Sequence, residues 1–128
     1  ECQAVMPLVN GDLAGFCLAG AKGELKSDLI SFDDGWSVCV ILASAGYPES
    51  SRNGDKISGI ENVNDARVYH SGTKNNGGQW ETNGGRVLAI VAGGPTRSDA
   101  VTKAHPPADL VSFDGLQRRR DIGILNFD

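Results

Sequence analysis

The sequence predicts an α+β fold, in which a small, mostly antiparallel sheet has helical cover and is preceded by two short helices. Seventeen of the 128 residues are glycine, about twice the usual share, which favours short strands and turns over long helices. Two apolar, β-branched runs of strand length lie in the interior of the chain. The order helix, helix, strands, helix, strand then favours an α+β class over a parallel α/β sheet.

The first third of the chain predicts two helices. Apolar residues recur at helical spacing from Gln3 to Val9, with Pro7 tolerable only within a first turn. A second helix is predicted from Asp12 to Lys22, because Asp12 is a good N-cap residue and Gly23 is suited to end a helix.

The middle of the chain predicts the sheet. The run Ser37–Ser44 reads as a buried strand, and Gly85–Gly94 is the longest strand candidate. Ile57–Ile60 indicates a further short strand. Arg67–His70 alternates in polarity as a strand does, and Gln79–Thr82 is predicted to pair with it across a glycine-rich connection.

The last third predicts one helix and one strand. Thr96 or Ser98 can cap a helix that continues through the following alanines. The pair Pro106 and Pro107 is expected to end or bend that helix, because proline lacks the backbone donor and clashes with the preceding turn. Leu110–Phe113 is then predicted to form a strand.

Composition excludes several classes of function. The formal net charge of −4 lacks the basic excess of a nucleic-acid surface, so no nucleic-acid partner is expected. The longest apolar run, Val38–Gly46, is far too short to cross a bilayer, and the N-terminal residues do not resemble a signal peptide. We therefore expect no membrane partner and a cytoplasmic location. Cys2, Cys17 and Cys39 are odd in number and unclustered, which predicts buried, reduced thiols.

One dense basic cluster stands out in this acidic chain. Arg118, Arg119 and Arg120 are consecutive, and three adjacent guanidinium groups repel one another unless an anion neutralises them. The sequence alone leaves two interpretations open. The cluster binds a phosphate or carboxylate, or it is a solvated basic tail in which one arginine pairs with Asp121.

A second candidate is the loop formed by Asn83, Gly84, Gly85 and Arg86. Its glycines allow close backbone approach to a ligand, but a plain hairpin turn needs the same residues. His70 has no Cys or His partner at ligand spacing, so a structural role is favoured and no metal site is predicted. No arrangement of Ser, His and Asp indicates a catalytic residue in this chain.

Taken together, five motifs resemble one family. They are Ala43-Ser44-Ala45-Gly46-Tyr47-Pro48, Val68-Tyr69-His70-Ser71-Gly72-Thr73, Thr82-Asn83-Gly84-Gly85-Arg86-Val87-Leu88, Phe113-Asp114-Gly115 and Arg119-Arg120-Asp121-Ile122-Gly123. Their order and spacing are similar to the C-terminal part of the phosphoribosylamine–glycine ligases. Glu1-Cys2-Gln3 also looks like the end of that family's RFGDPE-x-Q signature. Because the chain opens on glutamate, we expect it to be a piece of a longer protein.

The resemblance implies an ATP-grasp ligase of purine biosynthesis. In that family ATP phosphorylates the glycine carboxylate, and the amine of 5-phosphoribosylamine displaces the phosphate to give glycinamide ribonucleotide. ATP and Mg²⁺ (or Mn²⁺) would be bound outside this chain, so neither is expected on the fragment, which alone would be inactive. By the same resemblance, residues 1–33 form the helical end of the ATP-grasp domain, and residues 34–128 form the C-terminal antiparallel-sheet domain.

The resemblance also implies roles for the candidate residues. Arg119 and Arg120 occupy the place of a basic pair that faces the 5-phosphate in related ATP-grasp enzymes. Asn83, Gly84, Gly85 and Arg86 would then form a loop that faces the same cleft.

Three features depart from the family pattern. Pro106 and Pro107 fall where family members run a continuous helix, and Arg118 stands where an aromatic residue is expected. The stretch Gly93-Gly94-Pro95 also differs from the more usual Leu-Gly pattern. The alternative function is a non-catalytic interaction or scaffolding module that reuses the fold and binds a partner through its sheet edge. Because residues Gln3–Lys22 would lack their usual neighbours, self-association of this chain is expected.

Overall fold

A computed structural model describes residues 1–26 and 28–124. The fold is α+β with antiparallel pairing, as predicted. The helices are α1 (Cys2–Val5), α2 (Leu13–Lys22) and α3 (Arg97–Leu110), with short 3₁₀ turns at Met6–Leu8 and Ile60–Asn62. The strands are β1 (Val9–Gly11), β2 (Ile30–Phe32), β3 (Trp36–Ala43), β4 (Arg67–His70), β5 (Thr73–Asn76), β6 (Gln79–Thr82) and β7 (Arg86–Gly94).

The N-terminal helix is shorter than predicted. α1 ends at Val5, Pro7 lies in the first residues of a 3₁₀ turn, and Val9 already begins a strand. That strand, β1, pairs antiparallel with β2, which the sequence did not reveal.

The second helix is confirmed, with both predicted ends. The Asp12 carboxylate accepts a hydrogen bond from the Gly15 amide at 2.9 Å, and Gly23 takes a left-handed conformation with φ of 73°. A side-chain acceptor at the N-terminus and a left-handed glycine after the C-terminus satisfy the free groups at the two helix ends.

The main sheet has the strand order β3-β7-β4, with Val40 opposite Ile90 and Tyr69 opposite Ala89. The predicted strands at β3 and β7 are confirmed within one residue at each end. β7 lies in the middle, and its residues 87–92 are buried on both faces, which explains its continuous apolar run.

The predicted pairing of Arg67–His70 with Gln79–Thr82 is wrong. β4 pairs with β7, whereas β6 forms a hairpin with β5. The two-residue connection Gly77-Gly78 has φ of 59° and 93°, as a type I′ hairpin turn requires. This turn makes β5 the partner of β6 and leaves β4 beside the central strand.

The core lies between α3 and one face of the main sheet. Ala100, Ala104 and Ala108 recur every four residues and are almost fully buried against apolar strand residues such as Val40 and Ile90. Small residues on this face let the helix approach the sheet closely. α3 begins with a capping box in which the Thr96 hydroxyl accepts from the Asp99 amide, so Thr96 and not Ser98 is the cap.

The two prolines do not end α3, which continues to Leu110. They remove only the amide donors that would bond the carbonyls of Thr102 and Lys103, near the end of the helix. Pro107 and Ala108 are buried, so packing on the sheet outweighs the lost hydrogen bonds.

Two short predicted strands are also absent from the described residues. In place of a strand at Leu110–Phe113, only Ser112 forms a bridge, to Ser58. Ile57–Ile60 likewise contributes that single bridge before the second 3₁₀ turn. The thiols are free, as predicted, but they are not buried: Cys2 and Cys17 are exposed and Cys39 is half-buried.

Candidate functional site

The basic cluster begins where the chain joins the main sheet. Gln117 forms an antiparallel bridge with Ala43 at the end of β3, with N–H···O distances of 2.8 and 2.9 Å. The side-chain amide of Gln117 also donates to the Ser44 carbonyl at 2.8 Å. The three arginines follow directly, so their starting point is fixed by the sheet.

Arg118 is the buried member of the cluster, with only 5% of its side chain exposed. Its guanidinium donates to the Asp109 carboxylate and, at 3.2 Å, to Nδ1 of His105. Both partners lie on α3. The Arg118 guanidinium holds the pKa of Asp109 below its usual value, chiefly through their hydrogen bond.

Arg119 is largely exposed and forms a two-point ion pair with Asp121. Its Nε donates to Oδ1 of Asp121 at 2.8 Å, and its Nη2 donates to Oδ2 of the same carboxylate. This pairing lowers the pKa of Asp121. Arg119 also lines a cavity of about 380 Å³ that contains Cys39, Ile41 and Tyr47.

Arg120 faces a different cavity. Its Nη1 lies 3.3 Å from Oδ1 of Asp109, and it lines a space of about 560 Å³ with Asp109 and Ser112. The two arginines that the sequence places together are therefore divided between two cavities, and each has an aspartate partner. Their joint binding of one phosphate stays a prediction, and it requires both ion pairs to exchange.

The glycines of the Asn83–Arg86 loop are explained by packing within the chain. A Cβ built on Gly85 would lie 2.5 Å from Cδ2 of Tyr47, and one built on Gly72 would lie 2.9 Å from Cα of Gly84. The Asn83 amide donates to the Gly72 carbonyl at 2.8 Å. These contacts favour the turn interpretation for the backbone of the loop.

Arg86 is the member of that loop that reaches a cavity. It lines a space of about 640 Å³ together with Trp36 and Arg97. Cys39, Ile41 and Ile122 line both this cavity and the one that contains Arg119, so the two spaces adjoin.

We call these two adjoining cavities the β3 groove. Cys39 and Ile41 alternate along β3 with the core residues Val38, Val40 and Leu42, so their side chains project away from the core. Arg97, at the start of α3, and Ile122 also line the groove, which therefore follows the outer edge of β3. Its floor is apolar, and burial raises the pKa of the Cys39 thiol. With arginines along its length, the groove has the chemistry to bind a molecule that carries both a phosphate and a less polar part.

His70 lies outside the groove, in keeping with the structural role favoured by the sequence. Its Nδ1 is 3.0 Å from Oγ1 of Thr73, and its ring centroid is 4.2 Å from that of Trp80. Burial lowers the pKa of His70. Among residues 1–26 and 28–124, no group of three or more His, Cys, Asp and Glu side chains is placed to hold a metal ion. In the same ranges, no helix has the length and apolar character needed to cross a bilayer.

Comparison with known proteins identifies the family. Residues 37–125 match the family model for the C domain of phosphoribosylglycinamide synthetase. The chain belongs to this family. The resemblance drawn from the five motifs is thus confirmed.

Several relatives match nearly the whole chain. The phosphoribosylamine–glycine ligase of Caldanaerobacter subterraneus subsp. tengcongensis is 40% identical over 122 residues, which cover 95% of this chain and 29% of that protein. The trifunctional purine biosynthetic protein adenosine-3 of Chironomus tentans is 43% identical, over 96% of this chain and 9% of that protein. The chain therefore spans less than a third of the length of the relatives it matches.

A solved structure shows the same architecture. The crystal structure of the phosphoribosylamine–glycine ligase from Thermotoga maritima superimposes with a TM-score of 0.71 at 32% sequence identity. The match covers 84% of this chain and 26% of that one. The chain thus corresponds to a C-terminal domain of these ligases.

Sequence reasoning missed two residues of this family member. It treated Arg118 as part of the basic cluster and as a replacement for an aromatic residue, whereas in the structure Arg118 is buried and bonded to α3. It assigned no role to His105, whose Nε2 lies 2.9 Å from the Ile122 carbonyl. A lone histidine before two prolines carries no recognisable pattern, and its partners are 13 and 17 positions away.

Proposed function

We propose that this chain acts within a phosphoribosylamine–glycine ligase, which uses ATP to join glycine to 5-phosphoribosylamine. ATP transfers its terminal phosphoryl group to the glycine carboxylate, releasing ADP. The amine of 5-phosphoribosylamine then attacks the acyl phosphate, forming the amide of glycinamide ribonucleotide and releasing phosphate. The observation that carries this proposal is the continuous family match over residues 37–125.

Within that reaction, we assign the β3 groove to the phosphoribosyl substrate. Arg119 would bind the 5-phosphate, and Arg86 lies further along the same groove. The competing ion pair of Arg119 with Asp121 is exposed, and exposed pairs contribute only about 0–1 kcal/mol. A phosphate dianion can therefore displace the Asp121 carboxylate at little cost.

Arg120 joins this site only if it releases Asp109. Its contact at 3.3 Å is the longest of the arginine–aspartate contacts in the cluster, and three quarters of its side chain is exposed. Such a side chain can turn towards a phosphate without disturbing buried groups. We therefore propose that Arg119 and Arg120 form a phosphate-binding pair once Arg120 has released Asp109.

The family resemblance implies the places of the other components of the reaction. We propose that ATP and Mg²⁺ (or Mn²⁺) are bound by parts of the ligase outside this chain. The free thiols support a reducing compartment, and we place the reaction in the cytoplasm. Residues 1–33 would complete the ATP-grasp domain and residues 34–128 would form the C-terminal domain.

The test uses the complete gene product that contains this sequence. ADP release that depends on both glycine and 5-phosphoribosylamine should be measured for wild type, Arg119→Ala, Arg120→Ala and the double variant. We expect Arg119→Ala to raise the KM for 5-phosphoribosylamine about tenfold or more, because a charge-assisted contact contributes about 1.5–3 kcal/mol, while the KM for ATP stays unchanged.

Two results would contradict the proposal. Absence of ADP release from the wild-type gene product would remove the ligase assignment and favour an interaction module. Full activity with an unchanged KM in the double variant would leave the family but remove the phosphate site.

A further inference from the structure

One side chain contacts both ends of the short segment that carries Arg119 and Arg120. His105 on α3 contacts the Arg118 guanidinium on one side of this segment and the Ile122 carbonyl on the other. Only Arg119, Arg120 and Asp121 lie between those two contacts. The segment is therefore a three-residue loop closed by a single imidazole.

The two contacts use both nitrogens of the ring. A carbonyl oxygen accepts hydrogen bonds and a guanidinium donates them, so the tautomer with its hydrogen on Nε2 can donate to Ile122 and accept from Arg118 at Nδ1.

Arg118 forms a second contact with α3. Its side chain is almost fully buried, and its second partner is the carboxylate of Asp109, one helical turn after His105. A buried guanidinium that loses a partner is costly, so this geometry is strongly preferred over alternatives. Because Arg119 and Arg120 directly follow Arg118 in the chain, fixing Arg118 inward also restricts where their side chains can project.

We propose that His105 and Arg118 are positioning residues that hold Arg119 in the β3 groove. This inference rests on the proposed function, since it concerns the same phosphate site. His105 does not line the groove, so its effect on binding passes through Arg118 and Ile122, which both do. Ile122 itself lines the groove, so the hydrogen bond from His105 to its carbonyl fixes part of the groove floor as well as the loop.

The experiment measures direct binding of ribose 5-phosphate to the complete gene product by titration calorimetry. His105→Phe keeps a planar ring but removes both hydrogen bonds, and His70→Gln is the matched control because it alters the chain's other histidine, away from the groove. Loss of positioning by a fraction of an ångström is expected to raise the dissociation constant roughly tenfold for His105→Phe. The control should bind as wild type does, and the KM for ATP should be unchanged in both.

Arg118→Lys is the second variant if His105→Phe does not fold. Lysine keeps the positive charge for Asp109 but lacks the planar fork that reaches two partners at once, so weaker ribose 5-phosphate binding is again expected. Wild-type binding by a folded His105→Phe or Arg118→Lys protein would overturn the inference. The proposed function fails separately, if Arg119→Ala binds ribose 5-phosphate as wild type does.

Discussion

Residues 1–33 and residues 34–124 are stabilised by different means. Among the described residues of the first region none is buried, whereas the second region contains the whole apolar core around β3, β7 and α3. The first region is held by helix caps, short turns and the three-residue pairing of β1 with β2, and α1 lies against β3 and β7 without a buried residue. Burial of apolar surface should therefore account for the stability of the second region alone.

The two regions also differ in the exposure of their large apolar side chains. Leu18 is 56% exposed on α2 and Phe32 is 59% exposed on β2, whereas Leu42 and Leu88 in the main sheet are fully buried. Apolar side chains that remain in water contribute little to folding but can be covered by another protein surface. We therefore predict that the second region folds without the first.

We expect the largest loss of stability from a substitution in the core. Leu88→Ala should lower the free energy of unfolding by about 2–5 kcal/mol, because it removes buried methyl groups and leaves a cavity. Leu18→Ala is the matched change on exposed α2 and should alter it by less than about 0.5 kcal/mol. Urea unfolding measures both, and equal losses would show that the two regions share one core.

The next effect concerns two glycines with opposite surroundings. Gly85→Ala should destabilise by about 1–3 kcal/mol, because the added methyl group would overlap the ring of Tyr47. Gly20→Ala lies within α2, where the nearest atom to a new Cβ is 3.6 Å away. It should stabilise α2 by up to about 1 kcal/mol and raise the helical circular dichroism signal. If both substitutions lower the free energy of unfolding, the two glycines do not differ in their surroundings as described.

Removal of residues 1–33 tests the contrast directly. We expect the remaining chain to keep a cooperative thermal transition within a few degrees of the full sequence, because no described core residue is lost. Sedimentation velocity should show self-association of the full sequence that disappears on deletion, since the exposed apolar side chains of α1 and α2 are gone. A full sequence that stays monomeric at high concentration would remove that expectation.

A smaller effect should appear in acid. Arg118 depresses the pKa of Asp109 below its usual value of 3.8, so the ionised carboxylate stabilises the folded state above that pH. This stabilisation is lost as the pH falls through the depressed pKa. Thermal midpoints of wild type and Asp109→Asn should therefore differ above pH 3.8 and converge only as the pH falls below the depressed pKa of Asp109. A constant difference at all pH values would contradict the ionic origin of the contact.

The smallest expected effect is a difference in the rates at which the three thiols are alkylated. Iodoacetamide at mildly alkaline pH should modify Cys2 and Cys17 before Cys39, because burial both covers Cys39 and raises its pKa. Mass spectrometry of peptides taken over time gives the order of modification. Equal rates at all three thiols would show that Cys39 on β3 is as accessible to the reagent as the exposed thiols are.

The sequence was informative where the pattern was strong and local. β3, β7 and α2 could be located within one residue because their apolar runs and caps are unambiguous. β5 could not, because Thr73–Asn76 is polar and lacks the alternation of a half-buried strand. The continuation of α3 through Pro106 and Pro107 depends on packing against the sheet, which local propensity does not include.

The candidate site was predictable in composition but not in arrangement. Arg86 and Arg119 were recognised from charge and resemblance, and both line the β3 groove. The separation of Arg119 from Arg120 follows from the burial of Arg118, which depends on α3 lying beside the C-terminal segment. Such long-range contacts carry no signature in a single sequence.

A crystal structure of the complete gene product with bound glycinamide ribonucleotide would show where the substrate phosphate binds. We predict the phosphate in the β3 groove, with its oxygens about 3 Å from the Arg119 guanidinium and Asp121 displaced from it. A phosphate bound elsewhere, with Arg119 still paired to Asp121, would contradict the assignment.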